Sequence, residues 1–582
     1  MRRNLCRALA AFAALAFGAG AAQAECKLEM RFNLPVTMSR LRPLVEAKIN
    51  GVPGQFIVDS GAFYSMLSPG MAGAAKVQLN PAPPWFRITG IGGSTTTYYT
   101  TVKNLGLAGQ QIPHMDFYVG GSDTGVAGLL GQNVLGIGDV EYDLPDGYIR
   151  LWRWRDCRDA AKAYWANGNY SLLKIDERSE RNPHTTATVQ VNGNSFHAVF
   201  DTGASSTTMS LRAAARLGLK PDSPGVHPAG YSSGLGRRVV QVWSIPVSTI
   251  DIGGEEIHNA RIMMQDLGDD TTDMLIGADF FISHRVYVDN GSRRMFFTYT
   301  GGELFHQKAT AGADAPLSTA STGESNEPKD AEGFSRRGAV FLSEHDVTRA
   351  LADFSKAIDL APKEPRYYVQ RAQAHQQNRQ PFLALADFDK AIALDPANVP
   401  ALLARAQLSI ARGAREEAVP DLDAAARALA PTADERLRVG QLYSAASAYG
   451  PAIGEYDQWI RVHGEDRRLP EALNGRCWAR ALTNQDLPRA LDDCNKALSL
   501  SRNNPSFLDS RGLVRLRMGD WDRAIADYDA ALKAEPKLAW SLYGRGLARR
   551  HKGLAKEADA DIAAAVAIAP ELPERAKKFG IS

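Results

Sequence analysis

Phe200-Asp201-Thr202-Gly203-Ala204 ends a run that alternates as Thr186-Ala187-Thr188-Val189-Gln190-Val191, turns at Asn192-Gly193, and resumes as Phe196-His197-Ala198-Val199. Apolar alternation broken by Asn-Gly is a hairpin signal. An acidic side chain at the end of an apolar strand is costly to bury unless it is used or paired. The Thr-Gly that follows supplies a hydroxyl and a residue free to turn sharply. The same text stands 142 residues earlier (201 − 59 = 142), where Asn50-Gly51 precedes Phe56-Ile57-Val58-Asp59-Ser60-Gly61-Ala62. Two such loops on matched strands predict a pair of carboxylates brought face to face. Two carboxylates sharing a site do not both ionise easily, so one proton is shared between them. A water between them can give a proton to one while the other protonates the carbonyl under attack.

This arrangement resembles the aspartic peptidases, and the retropepsins in particular. Their signature is apolar-apolar-Asp-Thr/Ser-Gly-Ala followed later by apolar-apolar-Gly, here Leu129-Leu130-Gly131 and Leu275-Ile276-Gly277. The resemblance implies a catalytic pair, Asp59 and Asp201, acting on a peptide or protein substrate with no metal or organic cofactor. It implies that the hydroxyls of Ser60 and Thr202 lock the two loops together, and that Gly61 and Gly203 let the chain pass close to the carboxylates. Ala62 and Ala204 are retropepsin-like; pepsins more often carry a hydroxyl there, and its loss implies a less acidic working range. Trp85–Ile88, then Gly90-Ile91-Gly92-Gly93, then Thr95–Val102 reads as strand, glycines, strand. In retropepsins a hairpin at this place is the flap over the bound peptide. The second flap falls at Gly230–Val240, with Gly234-Leu235-Gly236 at its tip.

The first β-rich unit spans 27–156, with a short helix near Pro69–Lys76, and the second, 170–300, repeats it in order. Ile250–Ile257 matches Leu105–Ile112, Val286–Asp289 matches Val140–Asp143, and Met295-Phe296-Phe297 matches the strand at Leu151-Trp152. Two copies on one chain resemble a joined retropepsin dimer or the two lobes of pepsin. The intervening Asp156–Asn169 is short, which favours pairing of the lobes within one chain as a monomer. Its Tyr164 and Trp165 are expected at the lobe junction.

Residues 301–330 lose periodicity, and Ala309–Lys329 has almost no large apolar residue, so this stretch reads as a flexible linker. From Ala331 the text becomes helical. Ala350, Phe354, Ala357 and Pro362 recur as Ala384, Phe388, Ala391 and Pro396, and return as Ala524, Tyr528, Ala531 and Pro536 and as Ala558, Ile562, Ala565 and Pro570. The step is 34 residues in each pair (396 − 362, 570 − 536). Gly338, Gly512 and Gly546 occupy the close-packing position of the first helix. This resembles tetratricopeptide repeats, a helix-turn-helix solenoid of that period. Seven units are expected from 331 to 572, with a capping segment at 573–582. The third unit is shifted by one at Pro431, and the fourth carries Trp459 where Ala is expected. Such a solenoid implies a protein partner on its concave face.

Residues 1–24 read as an export signal: Arg2-Arg3, an apolar core from Ala8 to Phe17, and Ala22-Gln23-Ala24 before the cleavage point. The expected location is periplasmic or secreted, with no stable membrane insertion, because Gly18 and Gly20 cut the apolar stretch short. Cys26, Cys157, Cys477 and Cys494 then remain, an even number that favours disulfides in an exported chain. Cys477 and Cys494 are 17 residues apart and fall on facing positions of one helical hairpin. There is no Cys-x-x-Cys and no His spacing for a metal. The net charge is +2, and without Arg2, Arg3 and Arg7 the chain carries 64 basic (67 − 3) against 65 acidic side chains, which argues against a nucleic-acid partner. Gly230-Tyr231-Ser232-Ser233-Gly234 fits a nucleophile-elbow pattern, but that motif needs a strand before it and a helix after, and a strand-like run follows instead. The expected architecture is therefore multidomain: an all-β, two-lobed retropepsin- or pepsin-like aspartic peptidase, then an all-α tetratricopeptide solenoid. The alternative is a catalytically silent peptide-binding module on a protein-interaction scaffold.

Overall fold

The computed structural model describes residues 26–581 except 40, 84–87, 92, 96, 121–125, 156–160, 179–182, 233, 235–238, 269–270, 302–303, 306–327, 344 and 465. The expected export signal, Cys157 and nearly all of the expected linker lie outside the described residues.

Each β unit closes into a barrel, and the local sequence shows why. Asn50 and Gly51 take φ of 50° and 89°, and Asn192 and Gly193 take 48° and 73°. Two successive positive φ values make the hairpin turn whose twist matches the flanking strands, and Asn-Gly is the pair that adopts it at least cost. The turns pair Arg42–Ile49 with Val52–Val58, and Thr186–Val191 with Asn194–Phe200. In the first lobe Arg42–Ile49 also pairs with Tyr98–Leu107, which closes the sheet; in the second, Thr186–Val191 pairs with Val240–Ile252. Ile49, Phe56, Val58, Leu105 and Leu107 fill the first interior, and Val191, Phe196, Phe200, Ile250 and Ile252 the second, all 1% exposed or less. The second lobe runs further than the sequence suggested. Phe305 is fully buried and its carbonyl accepts from the Arg261 N–H, so Leu304-Phe305 belongs to the lobe and not to the linker.

The lobes meet in one six-stranded sheet, with Asp139–Asp143 of the first paired antiparallel to His284–Asp289 of the second. Charges are buried at this seam, and each is paired. Glu141, fully buried, accepts from Arg150 at 2.8 Å and Arg285 at 2.6 Å. Lys162 comes from the inter-lobe stretch, is fully buried, and lies 2.8 Å from both Asp139 and Asp289. Breaking such a pair leaves an uncompensated buried charge, which costs roughly 3–5 kcal/mol. Tyr164 donates to Glu141, and Trp165 donates to Thr298 at 2.9 Å, so both aromatics stand at the junction.

Fourteen helices between Ala331 and Ile568 form seven antiparallel pairs, followed by Leu572–Lys578. A Cβ at Gly338 would lie 2.8 Å from the Phe354 ring and one at Gly512 would lie 2.7 Å from the Tyr528 ring, which explains the small residue at that position. A second periodicity accompanies the first. Arg337, Arg371, Arg405, Arg511 and Arg545 each grip an aspartate 16 residues on with two N–H groups, a ladder that satisfies a buried aspartate inside five of the seven pairs. Cys477 and Cys494 form a disulfide, Cα–Cα 5.7 Å, across the fifth pair, and Cys26 is also disulfide-bonded. The solenoid packs on the first lobe at two places. The helix Ala331–Ser343 lies on the strand Thr37–Ser39, with Arg336 donating to the Tyr148 hydroxyl at 2.6 Å. The irregular fourth repeat meets the helix Pro69–Ala74, where a Cβ at Gly70 would stand 2.6 Å from the Thr432 carbonyl oxygen.

Candidate active site

Both aspartates stand at strand ends held from the side. Gly128–Leu130 runs parallel to Phe56–Val58, and the Asp59 N–H donates to the Leu130 carbonyl at 3.0 Å. Met274–Ile276 runs parallel to Ala198–Phe200, and the Asp201 N–H donates to Ile276 at 2.8 Å. The apolar-apolar-Gly segments thus fix where each aspartate leaves its strand.

Across the junction the two loops are cross-linked by their hydroxyls. The Thr202 N–H donates to Ser60 Oγ at 2.9 Å, and the Ser60 N–H donates to Thr202 Oγ1 at 3.1 Å. Ser60 Oγ donates to the Phe200 carbonyl at 2.8 Å, and Thr202 Oγ1 to the Val58 carbonyl at 2.7 Å. Each hydroxyl both accepts from and donates to the opposite lobe, so no polar atom of the lock is wasted. The glycines bring the carboxylates in. A Cβ at Gly61 would lie 2.2 Å from Asp201 Cγ, and a Cβ at Gly203 2.4 Å from Asp59 Cγ.

The pair is asymmetric. Asp201 Oδ1 accepts from Gly203 N–H at 2.8 Å and from Gly61 N–H at 3.2 Å. Asp59 Oδ1 is buried without a hydrogen-bond partner. Burial first, and then the Asp201 carboxylate within hydrogen-bonding reach, push Asp59 well above the ordinary carboxylate range. Asp59 is thus the member of the pair whose protonated form the site favours. Such an arrangement can take a proton at one oxygen and give one at another within a single site.

The expected flap is a hairpin. Ile88–Gly90 pairs with Gly93–Thr95, shorter than the sequence suggested, because Tyr98–Leu107 departs to the barrel and pairs with Gln110–Val119. Its tip lies against the other lobe: a Cβ at Gly234 would stand 2.9 Å from the Ile91 carbonyl oxygen. Gly92, Leu235 and Gly236 lie outside the described residues. The elbow pattern at Gly230–Gly234 is no elbow, for Gly230 and Ser232 belong to the strand His227–Ser232, paired with Val240–Ile252.

Several residues at the site carry no signature in the sequence. Gln132 donates to the Ser60 carbonyl at 2.6 Å and accepts from Arg178 at 2.6 Å, and Arg178 also holds Asn290 and the Pro183 carbonyl. Tyr142, on the inter-lobe strand, reaches the Ser60 hydroxyl from beneath, and burial pushes its phenol upward. Phe63 and Tyr64 follow Ala62 and join Tyr118 and His184 in an aromatic cluster, ring centroids 4.5–5.9 Å apart. The same two positions after Ala204 are Ser205 and Ser206. That difference was open to reading in an alignment of the two loops; the Arg178 contact was not.

The family model described as "gag-polyprotein putative aspartyl protease" matches residues 45–136 and 187–283. Each lobe matches that domain model once. Both matches contain the aspartate loop, the flap and the apolar-apolar-Gly segment of their lobe. No curated protein matches the chain. Among solved structures, the helical array is similar to a tetratricopeptide repeat protein from Parabacteroides merdae, 17% identical over 43% of this chain and 98% of that one, TM-score 0.32. It is also similar to the Cut9-Hcn1 hetero-tetramer of APC/C, 16% identical over 44% and 50%, TM-score 0.30. A third is YrrB, titled a TPR protein with an unusual peptide-binding site, 20% identical over 39% and 97%, TM-score 0.22. The assignment of the repeats rests on their own 34-residue period and paired helices.

Proposed function

We propose that the protein is an exported aspartic endopeptidase whose solenoid recruits a partner or substrate. The observation that carries the reading is geometric: Asp59 and Asp201 within hydrogen-bonding reach of each other, on loops locked together by Ser60 and Thr202. A water between the carboxylates gives one proton to Asp201 as its oxygen adds to a peptide carbonyl carbon, while Asp59 gives its proton to the carbonyl oxygen. The resulting diol collapses as Asp201 passes its proton to the leaving nitrogen, the C–N bond breaks, and a diol hydroxyl returns a proton to Asp59. The free enzyme is then restored. The flaps shield this step and hold the substrate extended. Export is supported by the leading basic and apolar segment and by the Cys477–Cys494 disulfide, a bond that persists in oxidising compartments.

The test is digestion of a peptide library by the full chain, with and without pepstatin, beside the Asp59→Asn variant. Cleavage abolished by both supports the peptidase reading. Binding of library peptides without any cleavage would replace it with a silent peptide-binding module.

A further inference from the structure

The helical array ends on Leu572–Lys578, and the chain runs on through Phe579, Gly580 and Ile581. A helix that only capped the last repeat would touch that repeat alone. This segment reaches back three repeats. Arg575 lies over the Trp540 ring, 5.8 Å to its centre, on the first helix of repeat seven. Arg517, which ends the first helix of repeat six, donates to the carbonyls of Phe579 and of Gly580, the latter at 3.1 Å. It also donates to Leu482 of repeat five at 3.0 Å. The Phe579 ring meets Tyr449 of repeat four edge-on, 5.3 Å between centres. Leu572, Ala576 and Ile581 are all buried. The first helices of repeats four to seven pack directly on one another and so form the tighter, inner layer of the solenoid. The tail crosses that layer.

Arg517 differs from the arginines of the ladder. Those each hold an aspartate with two N–H groups. Among the described residues Arg517 faces no carboxylate. Its donors go to three carbonyls, and its buried Nε has no partner. Burial alone pushes its pKa down. Carbonyl dipoles satisfy a guanidinium less well than a carboxylate, which takes two parallel charge-assisted bonds.

We propose that the inner groove of repeats five to seven is a peptide-binding site closed by the chain's own tail. Its external occupant is a peptide with an aromatic residue followed by a carboxylate side chain. The ring takes the place of Phe579 on Tyr449, and the carboxylate takes the place of the Gly580 carbonyl on Arg517. This deepens the recruitment reading of the solenoid and is independent of the peptidase reading.

Two labelled synthetic peptides test it by fluorescence anisotropy: the Glu571–Ile581 sequence, and the same sequence carrying Gly580→Asp. They are offered to the full wild-type chain and to a full chain carrying Phe579→Ala and Ile581→Ala, which loosens the tail. The loosened chain is expected to bind both peptides more tightly than wild type does, and the Gly580→Asp peptide about tenfold more tightly than its parent. Arg517→Gln in the loosened chain is expected to erase that preference. Tyr449→Ala, which leaves the tail sequence intact, should weaken both peptides equally, and a circular-dichroism melt checks that each variant is folded. A folded, loosened chain that binds neither peptide overturns the groove, while the recruitment reading falls only if the full chain also captures no peptide of a random library. Equal binding of the two peptides, unmoved by Arg517→Gln, overturns the carboxylate assignment alone.

Discussion

Six residues beyond each aspartate stands a hydroxyl side chain that reaches the turn after apolar-apolar-Gly, and the two lobes answer it differently. In the first, Ser65 donates through N–H and Oγ to one neutral acceptor, Asn133 Oδ1, at 2.8 and 2.7 Å. In the second, Thr207 donates to the Asp279 carboxylate, its N–H to both oxygens at 2.9 and 2.8 Å and its Oγ1 at 2.7 Å. The second lobe thus braces its loop with a buried carboxylate that accepts from Thr207 and the Phe280 N–H of the same lobe. The first braces its loop with an amide and then leans on the junction, through Gln132 and Arg178; the position matched to Gln132 is Ala278. One fold, used twice, gives one self-sufficient half and one half that depends on how the lobes are joined. The unequal aspartates sit on these unequal supports.

The largest effect should come where the comparison is closest. Asp59→Asn and Asp201→Asn each remove one half of the proton exchange, and each is expected to lose about a hundredfold or more in turnover while the fold persists. Mixing the two variant chains sharpens this. Lobes paired within one chain leave every dyad with one asparagine, so the mixture stays inactive at any concentration. Activity that appears on mixing and grows with concentration would mean that lobes exchange between chains. Activity in one variant alone would mean like-with-like pairing.

Next are the braces. Asp279→Ala strands the buried Thr207 N–H and hydroxyl, and each orphaned group costs roughly 1–3 kcal/mol, so a loss of about 3 kcal/mol is expected in urea unfolding. Asn133→Ala strands the same two groups of Ser65, equally buried, but removes a neutral acceptor, not a carboxylate, and should cost less, about 2 kcal/mol. Equal losses would show that the charge in the second lobe confers nothing beyond an ordinary acceptor.

How far this was legible follows from which contacts are local. The barrels could be read because Asn50-Gly51 and Asn192-Gly193 dictate hairpins, and because alternation fixes which face of each strand is buried. The Ser60–Thr202 lock was legible only through the family resemblance, since its partners lie 142 residues apart. The length of the first flap was misjudged: Thr95–Val102 looks like one β-branched run, but Tyr98 and Tyr99 pair with Asn80-Pro81 and pull the strand into the barrel. Phe305 was lost in low-complexity text because a single apolar residue has no period. The Arg–Asp ladder was present in the text at a fixed offset of 16 residues, and went unread because charge at a helix surface ordinarily signals solvent.

The junction that supports the first lobe can be weakened without touching the carboxylates. Arg178→Met keeps most of the stem volume and removes the bonds to Gln132, Asn290 and Pro183. Gln132 then loses its anchor, and the Ser60 carbonyl loses a well-aimed donor. About a tenfold loss in kcat with little change in KM is expected, as for a positioning residue one shell from the reacting groups. Replacing Ala278, the matched position of the second lobe, with Gln should restore none of it. If Arg178→Met keeps wild-type kcat, the first lobe is as self-sufficient as the second.

The smallest effect concerns stability against pH, and it separates the two aspartates. Asp59 is raised in the folded chain above the ordinary value of 3.8 that it regains on unfolding. Over that interval the folded protein binds a proton that the unfolded chain releases, so unfolding free energy falls as pH rises. The contribution is complete below the unfolded value and is lost as pH climbs through the folded one. Asp59→Asn cannot titrate and escapes the loss, so its melting temperature relative to wild type should climb as pH rises above the ordinary carboxylate value of 3.8. Asp201→Asn removes the neighbouring charge and alters the hydrogen bond from the same side chain, and leaves the first and largest cause, burial. Its curve should therefore lie between the other two, keeping part of the wild-type slope. Parallel curves for wild type and Asp59→Asn would mean that the proton does not rest on Asp59. An Asp201→Asn curve as flat as that of Asp59→Asn would mean that repulsion, not burial, holds it there.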